Sequence, residues 1–87
     1  MIYVPARMTL SDVVGGIESL AETERGEFRT GNPLFGLGGT PIGDAMIEAL
    51  EAIAEDPSPG NIERAKSVAP KWLEEWNQMA LRFEGLR

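Results

Sequence analysis

Eight apolar residues in the last third of the chain, Ile62, Ala65, Ala69, Trp72, Trp76, Met79, Phe83 and Leu86, follow one another at alternating steps of three and four. On an α-helix that alternation holds all eight side chains on one stripe. Three of them are large aromatics, so the stripe has to be buried against something. This constrains the chain more than any other feature does: its C-terminal third is an amphipathic helix that needs partners, in the same molecule or in another.

The remaining 61 residues before that stripe supply two shorter candidates. Leu10, Val13, Val14, Ile17, Leu20 and Ala21 recur at helical spacing. This predicts a first helix that begins near Ser11, has Asp12 in its first turn and stops near Gly26. The pair Gly15 and Gly16 falls inside it, where each glycine costs about 1 kcal/mol relative to alanine. Close approach of a neighbouring helix, at the point where Trp72 or Trp76 needs room, would offset that cost; a kink or break is the alternative. Thr40 followed by Pro41 is a strong helix start, because proline loses nothing at the first helical position and holds the residue before it extended. The second helix runs from there to about Glu55 with Ile42, Met46, Ala49, Leu50 and Ile53 inward, and Asp56-Pro57-Ser58-Pro59-Gly60 ends it. The third begins near Pro59 or Asn61. Since the apolar steps keep register across Pro70, one kinked helix is expected rather than two. The predicted fold is all-α: a single domain of residues 1–87 forming a small antiparallel three-helix bundle, with the long loop crossing one end.

Two segments lie outside the helices. Residues 1–8 read Met-Ile-Tyr-Val-Pro-Ala-Arg-Met and favour an extended arm, packed across the helices or paired with another chain. Residues 27–40 are glycine-rich yet carry Phe28, Leu34, Phe35 and Leu37, which a purely flexible linker would not; this loop docks either on its own core or on a partner.

The chain has no cysteine and no histidine, which removes disulfides, the usual zinc ligands, the thiolate nucleophile and the imidazole base. No catalytic residue, cofactor or metal is therefore assigned. Fourteen acidic against eight basic residues oppose direct binding to nucleic acid and to anionic membranes. The charge is uneven: residues 1–57 hold ten acids and three bases, residues 58–87 four acids and five bases, a polarity suited to head-to-tail association or to steering onto a basic partner. Residues 1–10 lack the apolar core and cleavage site of a secretory signal, and no run approaches the roughly 20 apolar residues of a bilayer span, so a cytoplasmic location is expected.

Two patterns carry alternative functions. Gly38, Gly39 and Thr40 lead into a helix start, where free amides and the helix dipole favour a small anion or nucleotide. The residues of a P-loop are missing, since Thr40 and Pro41 stand where Lys and Ser or Thr would be. The string Gly38-Gly39-Thr40-Pro41-Ile42-Gly43-Asp44-Ala45 resembles the threonine-bearing metal loop of von Willebrand factor type A domains. The Asp-x-Ser-x-Ser segment and the length of that fold are absent, so the resemblance implies a shared way of starting a helix and no metal role for Thr40. Asp44, Glu48, Glu51 and Glu55 form an acidic stripe on the second helix, suited to a basic protein surface or to imitating a phosphate track. The reading the sequence favours is a non-catalytic interaction module, a small accessory subunit, adaptor or inhibitor such as a phage encodes. It would self-associate as a homo-oligomer or dock on a protein partner through Phe28, Leu34, Phe35, Leu37, Trp72, Trp76 and Phe83.

Overall fold

The computed structural model describes residues 6–22 and 32–85. They form three helices, α1 (Leu10–Glu22), α2 (Pro41–Glu55) and α3 (Pro59–Gly85), with a 3-10 turn over Pro33–Phe35 before α2. The architecture is the expected all-α three-helix bundle. No strand occurs among the described residues, and none of their helices is long and apolar enough to cross a membrane. Helix α3 is the spine: its 27 residues, at about 1.5 Å each, account for the 41 Å long axis of the molecule. It is continuous through Pro70, which faces solvent, so the hydrogen bond that proline removes is lost on the wet side.

The apolar stripes meet where the sequence places them. Val13, Ile17 and Leu20 of α1, Met46, Ala49, Leu50 and Ile53 of α2, and Ala65, Ala69, Trp72 and Trp76 of α3 form one buried cluster. Two edges of the stripes differ. Leu10 is 45% exposed, and Phe83 is 40% exposed while Ala80 is fully buried. The seam of α3 therefore leaves the core one turn before the helix ends. Leu86, Phe28 and the expected stop at Gly26 lie outside the described residues.

Contacts along α3 set the directions. Lys66 pairs with Glu18 at 3.2 Å and Asn77 holds Met8, so α1 runs antiparallel to α3. Asn61 donates to the carbonyls of Asp56 and Ala52, which folds α2 back against the start of α3. Both shorter helices are thus antiparallel to α3 and point the same way as each other. The described part of the connection between them, residues 32–40, returns along the bundle from Leu34, which lies against Gly16 midway along α1.

Local chemistry fixes the helix starts. Thr40 caps α2: its hydroxyl accepts from the Gly43 amide at 3.0 Å and donates to the Leu37 carbonyl at 2.8 Å. Ser58 precedes Pro59 in the same way, and its carbonyl takes the Ile62 amide. Helix α1 begins at Leu10, next to the expected Ser11, and its cap is Thr9 rather than Ser11. The Thr9 amide donates to Asp12 Oδ2 at 2.9 Å and the Asp12 amide to Thr9 Oγ1 at 3.2 Å, a reciprocal capping box. Those bonds, the Thr9 amide foremost, hold the Asp12 carboxyl below its ordinary 3.8.

The glycine pair of α1 has a different reason from the one expected. The helix is unbroken, Gly15 has open space around it, and Gly16 is crossed by Leu34 of the return segment, with no helix or tryptophan close to it. The close approach occurs instead at Gly43, where an added Cβ would sit on the Leu37 carbonyl. Gly15→Ala should therefore raise stability by about 0.5–1 kcal/mol through helix propensity. Gly43→Ala, equally helical by propensity, should lower it by about 1–3 kcal/mol through overpacking. Urea denaturation of the two variants checks both signs. Because the folded state holds Asp12 ionised, the support it gives α1 is complete above the unfolded carboxyl's range and disappears as pH falls through the folded value. The Thr9 amide resonance should accordingly titrate with a midpoint below 3.8.

Candidate functional site

The features that distinguish this bundle gather around Trp76. Its indole stacks on Trp72, with centroids 5.3 Å apart and planes 14° from parallel. Its Nε1 donates to the Ala6 carbonyl at 2.8 Å. The opposite edge of the ring rests on Gly36, where a Cβ would come within 2.6 Å of Cζ3. One ring thus separates the N-terminal arm from the 3-10 turn. Asn77 extends the grip on the arm, its Oδ1 accepting from the Met8 amide and its Nδ2 donating to the Met8 carbonyl, each at 2.9 Å. Arg7 meets Glu84 at 3.3 Å on the surface, a contact worth under about 1 kcal/mol that reports position more than stability. The described part of the arm therefore lies along α3, with two backbone residues held much as a neighbouring strand would hold them.

Leu37 and Thr40 face Glu75, Gln78, Met79 and Arg82 of α3 across an open groove of about 340 Å³. Its floor is Leu37 and the half-buried Met79; its rim is polar. Past the groove, residues 81–85 are all exposed, with Leu81 at 48%. Two residues apart on a helix, Leu81 and Phe83 point to opposite sides of this terminal turn.

The residues expected to bind a partner divide between core and surface. Leu34, Leu37, Trp72 and Trp76 lie in the chain's own core, and Phe35 is half-buried against it. The loop over residues 32–40 therefore docks on its own bundle. Of the seven, Phe83 alone among the described residues is exposed, and Leu81 joins it. Asn77, off the apolar stripe of α3, is half-buried and bonded to the arm. Asn77 and Gly36 carry no local pattern that reveals them, since their partners are 69 and 40 residues away.

At the glycine-rich helix start the amides have internal partners. Gly39, in the left-handed region at φ 93°, donates to Asp44 Oδ1 at 3.0 Å, Thr40 to the Leu37 carbonyl, and Gly43 to Thr40 Oγ1. Gly38 is exposed beside Ile47. The Asp44 carboxylate already sits where an anion would gain most from the helix dipole. The stripe of Asp44, Glu48, Glu51 and Glu55 is exposed along α2, with Glu48 near Arg64 at 3.9 Å. No group of three His, Cys, Asp or Glu among the described residues could hold a metal. Comparison with protein-family models, curated proteins and solved structures returns no match.

The two tryptophans differ in one polar atom. Trp72 Nε1 is buried with no acceptor, whereas Trp76 Nε1 has Ala6. An unpaired buried donor costs about 1–3 kcal/mol, and Trp72→Phe removes that cost along with ring volume. Trp76→Phe removes ring volume and a hydrogen bond together. Trp76→Phe should therefore destabilise more than Trp72→Phe, by about 1 kcal/mol or more in chemical denaturation, although Trp72 is the more deeply buried ring.

Proposed function

We propose that the protein is a non-catalytic helical interaction module, a small accessory subunit, adaptor or inhibitor. It meets another protein, or a second copy of itself, through the projecting end of α3. The observation that carries this reading is the mismatch between stripe and bundle: the core closes at Ala80, while Leu81 and Phe83 stand 48% and 40% exposed on the last turn of α3. Large apolar side chains on opposite sides of a free turn suit insertion between or beside other helices. The absence of His and Cys from the chain and the lack of any buried charged or polar residue in the described core support the non-catalytic side of the reading. With the Gly39, Thr40 and Gly43 amides internally bonded, the anion-binding reading has no comparable support.

Light scattering over a range of concentrations should show species heavier than the 9.5 kDa chain, or co-purification from the native host should yield a stoichiometric protein partner. Phe83→Ser should abolish either association while leaving helicity unchanged, since Phe83 lies outside the core. A 9.5 kDa monomer at every concentration, with no partner lost on Phe83→Ser, would sink the reading.

A further inference from the structure

Taking the end of α3 as an association surface, as proposed above, we infer that its partner is a second copy of this chain. The two α3 ends lie antiparallel, and Phe83 of each copy enters the other's groove between Leu37 and Met79. Three observations point to a like copy. The first is that knob and hole belong to one chain. Phe83 is 40% exposed and stands four residues after Met79, on the same side of α3, yet it is not among the residues that line the groove. The groove, of about 340 Å³ over a floor of Leu37 and Met79, has room for a benzyl side chain, and the chain's own lies one turn further on. A two-fold pairing fills both grooves and covers both rings.

The second is charge. Glu75 and Arg82 flank the groove, both exposed and two helical turns apart on one face, and neither has an ion-pair partner among the described residues. In an antiparallel overlap centred between Gln78 and Met79, Arg82 of one copy is level with the partner's Glu75, and Glu75 with the partner's Arg82. One face thus makes two opposite-charge contacts with its own image. In the same register Phe83 begins level with the partner's Glu74. Helical side chains lean toward their own N-terminus, so the ring tilts toward the partner's Gln78 and Met79, the groove side.

The third is where the net charge lies. Residues 1–57 hold ten acids and three bases, residues 58–87 four and five, so repulsion between like copies is carried by the first part of the chain and α3 is close to neutral. Helix α2 starts at the groove and runs toward the far end of α3, so Glu48, Glu51 and Glu55 recede from such a contact. The overlap takes two turns of α3 and the Leu37 to Thr40 corner from each copy. That is small against about 800 Å² per partner, so dimer and monomer exchange with concentration.

Sedimentation equilibrium of the full chain should show a dimer of twice 9.5 kDa that grows with concentration and weakens as salt is added. Glu75→Arg and Arg82→Glu, both at exposed positions, should keep the parent's helicity and each weaken self-association about tenfold or more, since each sets like charges together twice. Mixed in equal amounts, the two variants should form a heterodimer at close to the unsubstituted affinity, because both contacts are then opposite in sign again. Misfolding cannot mimic that recovery. Association that is lost with Phe83→Ser but unchanged in the charge variants, or helical variants that stay monomeric when mixed, would overturn the self-pairing and leave the association surface standing. A 9.5 kDa monomer at every concentration overturns the self-pairing too, and co-purification then decides whether another protein takes that surface.

Discussion

The Trp76 ring is the contact on which the rest of this molecule depends. Its stacking on Trp72 joins it to the centre of the core, its Nε1 fixes Ala6 some 70 residues away in sequence, and its far edge defines how closely the 3-10 turn approaches. In a chain of 87 residues a single core has little surplus stability, and ordering a terminal arm and a long connection costs entropy that local contacts do not repay. One rigid, amphipathic ring with apolar faces and a polar edge satisfies both segments at once. Gly36 follows from this placement, because any side chain there would displace the indole.

The connection between α1 and α2 follows from the same arrangement. With α1 and α2 both antiparallel to α3, the described residues 32–40 run back along the bundle toward the start of α2. Leu34 and Leu37 are the two points at which the described part of that path enters the core. Leu37 then does double duty: its side chain floors the groove, and its carbonyl takes both the Thr40 amide and the Thr40 hydroxyl. The buried backbone of Gly43 lets that carbonyl lie against the first turn of α2. Cap, turn and packing at this corner are therefore one construction, and the glycine-rich composition that could suggest a ligand loop is used to bring backbone against backbone.

How much of this was legible depends on the sequence distance over which each signal acts. Thr40-Pro41 announced its helix because cap and first turn lie within four residues. The three-four spacing of α3 announced a buried stripe because periodicity is local. The start of α1 was legible to within a residue but its cap lies two residues before Ser11, since Thr9 and Ser11 are both able caps and only the carboxylate three positions after Thr9 completes a reciprocal pair. What stayed hidden was set by contacts between distant segments. Asn77 reads as a surface residue until Met8 lies beside it, and Gly15 and Gly16 read as one feature until a leucine crosses the second and leaves the first bare. Phe83 continues the pattern of Trp72 and Trp76, and no periodicity says where the neighbouring helices run out.

That last point sets the scale of any intermolecular contact. A stable specific interface covers about 800 Å² on each partner, more than the five exposed residues of one terminal turn supply. On the reading proposed above, a partner has to continue from Leu81 and Phe83 onto adjoining surface. The face carrying Leu81 also carries Glu74 and Glu84, seven residues before it and three after, so an apolar anchor there is flanked by carboxylates. Glu84 is already in contact with Arg7 of the arm, which makes the arm's position part of that surface. An occupant that inserts an apolar side chain against Leu81 and offers basic groups to Glu74 and Glu84 would match the patch in both hydrophobicity and charge. A purely apolar occupant would strip water from two carboxylates without replacing it, so the rim selects the partner more sharply than the anchor does.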